Sequence, residues 1–151
     1  MRKEPKYRYA IRLFHYWMGR LNLPKPIPAI KDNRMDCSFA VSDWETKENI
    51  CLKYHTRRIG QQPKFYIISD ILHEIGHLIN NMPYGTRNNQ VISEREAERF
   101  SIKMMKKHYP KQFKLVIKRM TEKQSMVKLM KKDRLYFDAY FELPEYKATI
   151  R

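Results

Sequence analysis

Five consecutive residues, His73-Glu74-Ile75-Gly76-His77, combine two imidazoles with a carboxyl group at a spacing suited to metal chemistry. On an α-helix, residues four apart lie one turn above each other on the same face, so His73 and His77 can direct two ring nitrogens at one cation. Glu74 is turned about 100° from His73 around the axis. It is poorly placed as a ligand and well placed to take a proton from water beside the cation, the role of a general base. A hydrolytic zinc site uses three protein ligands and keeps one position open, so a third donor has to come from another element.

The next acid-rich run, Ser93-Glu94-Arg95-Glu96-Ala97-Glu98-Arg99-Phe100, offers three carboxylates. Glu96 is the first choice as third ligand, because it adjoins Ala97, a small residue that lets two helices approach closely. Glu94 is the second choice. Ser93 and Glu96 also have the spacing of a capping box, which would use Glu96 on a backbone N–H. Glu98 is turned away from Glu96 and is expected to pair with a surface base. The metzincin pattern is excluded by Asn80 and Pro83, which stand where a Gly and a further His would be needed. His108 lies about 18 Å beyond Glu96 at helical rise, out of ligand range.

The elements that must position these groups follow from periodicity. Ala10, Leu13, Phe14, Trp17 and Leu21 form the stripe of an amphipathic helix over residues 6–21. Three prolines between Pro24 and Pro28 then impose an extended segment that leads into a sheet. Cys37, Phe39 and Val41, then Ile50, Leu52 and Tyr54, alternate as a hairpin of two short strands within residues 37–56. Pro63 opens a helix over 63–81 with Ile68, Leu72, Ile75 and Ile79 as its core face. A polar loop over 82–90 precedes a third helix, 93–108, with Ala97, Phe100, Met104 and Met105 inward. After Pro110, Phe113, Ile117, Met120, Met126, Leu129 and Met130 describe one long helix or two with a bend. One α+β domain over residues 1–151 is expected, with two to four short strands on the metal-bearing helices and a basic helical region and tail over 110–151.

The two motifs, His73-Glu74-Ile75-Gly76-His77-Leu78-Ile79 and Glu94-Arg95-Glu96-Ala97-Glu98-Arg99-Phe100, resemble those of the ImmA/IrrE-like gluzincin metallopeptidases, and minigluzincins look similar. The resemblance covers roughly residues 49–101. It departs from the family at Glu98 and Ser101, where Asn and Ala are usual. It implies Zn²⁺ held by the two His and a Glu of the second motif, Glu74 as catalytic base, and a gluzincin-like small sheet packed on the active-site helices. It further implies that the strand Asn49 to His55 is the edge that binds an extended peptide substrate, and that a repressor or other regulator is the protein cleaved. A donor opposite the metal is needed for the oxyanion, and His55, Tyr84, Tyr136 and Tyr140 are the candidates. A peptide-deformylase arrangement with Cys51 as ligand fails, because the Gly-rich motif and the surroundings of that Cys are missing.

The chain carries 31 Lys and Arg against 16 Asp and Glu, a net charge of +15 over 151 residues. Twelve of the basic residues fall between Ser101 and Leu135, against Glu122 and Asp133 alone. Such a face attracts phosphate backbones, so nucleic-acid contact through 101–135 is a further expectation, without a sequence-reading motif. A non-catalytic basic module binding nucleic acid or an acidic protein is the alternative to a peptidase. Four Gly exclude Gly-rich phosphate loops, and two Cys exclude a disulfide scaffold. No signal-peptide pattern or membrane span is read, which points to a cytoplasmic protein with Cys37 and Cys51 reduced.

Overall fold

The computed structural model describes residues 3–42, 46–80, 87–127, 140 and 143–147. They form a mixed α+β fold, mostly helical, with one three-stranded sheet. Helix α1 spans Lys6–Arg20 and buries Ala10, Leu13, Phe14, Trp17 and Met18. It stops where Asn22 enters the left-handed region (φ 54°). The Leu23 N–H then bonds the Met18 carbonyl and the Asn22 N–H the Gly19 carbonyl, a Schellman closure that satisfies the last turn. The proline-rich segment follows as expected, and its Ile27 N–H bonds the Ile50 carbonyl beside the sheet.

Strands β1 (Ile30–Lys31), β2 (Phe39–Ser42) and β3 (Cys51–Tyr54) lie in the order β1-β3-β2. The expected hairpin is present: β2 and β3 are antiparallel, with Phe39 opposite Tyr54 and Val41 opposite Leu52. β1 was not expected, because two residues after a run of prolines give no alternation to read. It pairs parallel to β3. The strand proposed as substrate edge is therefore the central one, its N–H and C=O groups engaged on both sides, and β2 is the outer strand on the other flank.

A short helix α2 (Thr56–Gly60) intervenes before α3 (Lys64–Asn80). His55 caps α2: its Nδ1 accepts the Arg58 N–H at 3.2 Å. Helix α3 is buried on most of its circumference, through Ile67, Ile68, Ile71, Leu72, Ile75 and Leu78. Ile79, expected in the core, is 41% exposed, since the apolar stripe drifts around the axis towards the helix end. α1, α4, α5 and β2 all pack against α3, which makes it the axis of the fold.

Helix α4 runs Arg87–His108, so it begins six residues before the expected Ser93. Ser93 is interior and fully buried, and the capping-box reading of Ser93 and Glu96 lapses. Helix α5 is Pro110–Val127 and α6 is Pro144–Lys147; α5 is unbroken to Val127, and whether the pattern through Leu129 and Met130 continues one helix or follows a bend lies outside the described residues. α3 and α4 cross at Gly76, where an added Cβ would stand 2.8 Å from both Cα and O of Ala97. Only glycine permits that approach. It sits between the two histidines of the motif, so a close contact of the helices falls where ligands from both must meet.

Candidate metal centre

His73 and His77 project from α3 towards α4 with their rings edge to face, centroids 4.8 Å apart. Both Nε2 atoms meet one carboxylate: His73 Nε2 is 2.9 Å from Oε2 of Glu94, and His77 Nε2 is 3.3 Å from its Oε1. One donor atom from each of His73, His77 and Glu94 can be chosen so that all three lie within 4.8 Å of one another, and the group can hold a metal ion. The three side chains are 12%, 8% and 17% exposed, largely withdrawn from water.

Glu96, the first choice as third ligand, is not in this group. Its side chain is 34% exposed and lies 3.7 Å from Arg99 Nη2 and 4.0 Å from Arg95 Nε. The correction to Glu94 has a geometric cause. The face of α4 that meets α3 carries Ser93, Glu94, Ala97, Glu98 and Ser101, at spacings of three and four. Glu96 is turned about 100° from Ala97 to the side away from Glu94 and Glu98, and so leaves that face, whereas Glu94, three residues before Ala97, stays on it. Applied outward from Ala97, that periodicity would have selected Glu94.

The second ring nitrogens are held as well. His73 Nδ1–H donates to Oε2 of Glu98 at 2.7 Å, and His77 Nδ1 is 3.2 Å from the Ser93 hydroxyl. Glu98, expected at the surface, is buried, and its other oxygen accepts from the Tyr146 hydroxyl. One turn on, the Ser101 hydroxyl donates to the Ser69 carbonyl, which continues the polar seam between the helices. Outer partners of this kind fix which nitrogen of a histidine faces a metal.

Charge follows the geometry. Burial opposes the charged form of His73, but hydrogen bonds to Glu94 and Glu98 and their negative charges outweigh it and hold its pKa well above the ordinary value. Burial likewise acts against the Glu94 carboxylate, and the bonds from His73 and His77 overcome it, so its pKa is lowered strongly. Glu74 responds in the opposite sense. Burial pushes its carboxyl up to about 7, with the charges of His73 and His77 only partly offsetting. A carboxyl with that pKa exchanges a proton near neutral pH, as a general base must.

Among the oxyanion candidates, Tyr140 reaches the site. Its hydroxyl donates to Oε2 of Glu94 at 2.7 Å, and its ring stands edge to face with His73. His55 does not serve there; it caps α2. Tyr84 and Tyr136 lie outside the described residues. His108 packs its ring on Trp17, 4.8 Å between centroids, away from the cluster.

Compared with known proteins, the chain matches no family model, no curated protein and no solved structure. The functional reading therefore rests on the side chains themselves. Two imidazole nitrogens and a carboxylate oxygen form a mixed donor set that suits a borderline-soft cation better than the all-oxygen sites of Ca²⁺ or Mg²⁺. Both imidazoles have the partner on Nδ1 that leaves Nε2 for such a cation. Cys37 and Cys51 form no disulfide with each other and take no part in the cluster. Among the described residues, no helix is long and apolar enough to cross a membrane.

Proposed function

We propose that the chain is a cytoplasmic, zinc-dependent peptidase of the gluzincin type that hydrolyses a peptide bond in a protein substrate. The observation that carries this reading is the convergence of His73, His77 and Glu94, with Glu74 next to the first histidine on the same helix. A closed structural zinc site takes four protein ligands and needs no such acid next to the first histidine.

His73, His77 and Glu94 would hold Zn²⁺, which when bound supplies a Lewis acid for the substrate carbonyl and acidifies water towards neutral pH. Glu74 receives the proton of the attacking water on a carboxylate oxygen and delivers it to the amine nitrogen of the departing peptide. Tyr140 donates its hydroxyl to a ligand carboxylate, and it offers the developing oxyanion a hydrogen bond by exchanging that bond to Glu94. β2, the outer strand on a flank that packs against α3, offers an edge on which an extended peptide can add as a further strand. Lys103, Lys106 and Lys107 of α4 and Lys111, Lys114 and Lys118 of α5 are exposed, a basic surface suited to a substrate that is itself bound to DNA.

The test is a zinc titration of the purified protein, followed by assays on casein, a peptide library and a repressor with and without duplex DNA. Wild type is expected to bind zinc and cleave, and Glu74→Gln to keep zinc while losing roughly 10²–10⁴-fold in rate. A repressor cut faster on DNA at low salt supports the role of the basic face. Zinc bound with no cleavage by either protein replaces the peptidase with the non-catalytic basic module.

A further inference from the structure

Glu98 is used twice. One oxygen takes the Nδ1–H of His73 and the other takes the hydroxyl of Tyr146, so both ends of the carboxylate are fixed in a site where the residue is 7% exposed. Tyr146 itself is 1% exposed and sits on α6, which is seated by Leu143 (2% exposed), by packing on α5, and by a 3.7 Å ion pair from Glu145 to Lys106 of α4. A phenylalanine at 146 would fill the same volume. The hydroxyl does something else: it reaches, from an element far away in sequence, the carboxylate that sets the rotation of a ligand ring.

A carboxylate held at one end only can swing about its side-chain torsions, and the imidazole bonded to it swings as well. Held at both ends it cannot. We propose that Tyr146 is a positioning residue for the metal centre, which fixes the ring of His73 through Glu98 so that docking of α6 and affinity for the metal form one coupled equilibrium. The inference rests on the reading of His73, His77 and Glu94 as a metal site. It assigns Tyr146 no contact with substrate or metal. Coupling of this kind is reciprocal: whatever α6 contributes to metal affinity, the bound metal returns to the docking of α6.

Tyr146→Phe isolates the hydroxyl. Zinc affinity is measured by competition with a chromophoric chelator, and the amide exchange of residues 143–147 is followed with and without zinc. Tyr146→Phe is expected to weaken zinc binding about 10-fold, within the roughly 10–100-fold range for an outer partner of a metal-bound histidine. Glu98→Gln, which keeps one acceptor oxygen for two donors, weakens it at least as much. The double variant is no weaker than Glu98→Gln alone, because both changes break one chain of bonds. In wild type, zinc slows amide exchange in α6, a readout that survives even if a variant fails to fold. A Tyr146→Phe protein that is less stable but binds zinc like wild type overturns the inference, as do additive effects or α6 exchange indifferent to zinc. In those cases the metal site still stands. A wild type without zinc affinity overturns both readings at once.

Discussion

Helix α3 has two main partners, and the two interfaces are built on different chemistry. Towards α1 and the sheet the contact is apolar, with Phe14, Trp17 and Met18 at or below 2% exposure and Ile67, Ile71 and Leu72 at 0%. Towards α4 it is polar, a seam of Ser69 with Ser101, His73 with Glu98 and Glu94, and His77 with Ser93. Burying side chains of the first kind contributes about 1.5–3 kcal/mol each. The second kind must recover the cost of desolvation before it contributes anything, and buried ionic groups are often no better for stability than apolar ones of equal size. One side of α3 holds the fold together; the other is built around a positive charge placed between carboxylates.

The largest expected effect separates two acids of the polar side. Glu94→Ala should reduce zinc affinity by more than the roughly 10–100-fold typical of an outer partner, while Glu96→Ala leaves it unchanged; equilibrium dialysis against a metal buffer reads both. Loss of zinc on removing Glu96 would reverse the assignment of faces on α4. On the apolar side, Phe14→Ala should lower the unfolding free energy by about 3–5 kcal/mol, measured by urea titration, with zinc affinity of the folded protein intact. If zinc affinity fell in parallel, the two interfaces would not be separable.

The smallest effect is a slope with pH in the metal-free protein. Glu74, with its folded pKa near 7, keeps a proton that the unfolded chain has released, so its contribution is whole below the ordinary carboxylate value and is lost as pH rises through about 7. His73, raised above its ordinary 6.5, adds a contribution that is whole below that value and is lost at higher pH still. Glu94 acts in the opposite sense, its contribution being lost as pH falls below the usual carboxylate range. Urea midpoints of the metal-free chain should therefore decline from mildly acid to alkaline pH. Glu74→Gln should flatten the acid half of that decline, and zinc should reverse it, since ligand binding to a metal releases protons. A flat profile in wild type would mean that the seam does not carry these charges.

The division between the interfaces also explains what could be read from the sequence. Apolar periodicity located α1 and α3 nearly to the residue, and the start of α5, because burying one stripe is what forms them. It misplaced the start of α4 because Arg87 to Gln90 are polar in a stretch that reads as loop, and it passed over α2, whose five residues are shorter than any periodic signal. The histidine pair was legible because both residues lie on one helix four apart. The third ligand was legible only through the face of α4 that meets Gly76: adjacency to Ala97 favours Glu96, while the three-residue spacing from Ala97 favours Glu94. Tyr146 gave no local sign at all; its role exists only where α6 folds back on Glu98.

The face of α4 nearly repeats itself along its length. Serines 93 and 101 flank Ala97 by four residues each way, and Glu94 and Glu98 are themselves four apart, so a slide of about 6 Å would set like residues almost in each other's places. Two tyrosines tell the true setting from its neighbour, Tyr140 claiming Glu94 and Tyr146 claiming Glu98. In a slipped arrangement one acid would lose its hydroxyl, and a buried carboxylate without that donor is penalised. Tyr140 and Tyr146 thus act as a vernier beside the Gly76–Ala97 contact, each adding a hydrogen bond that only the true alignment satisfies.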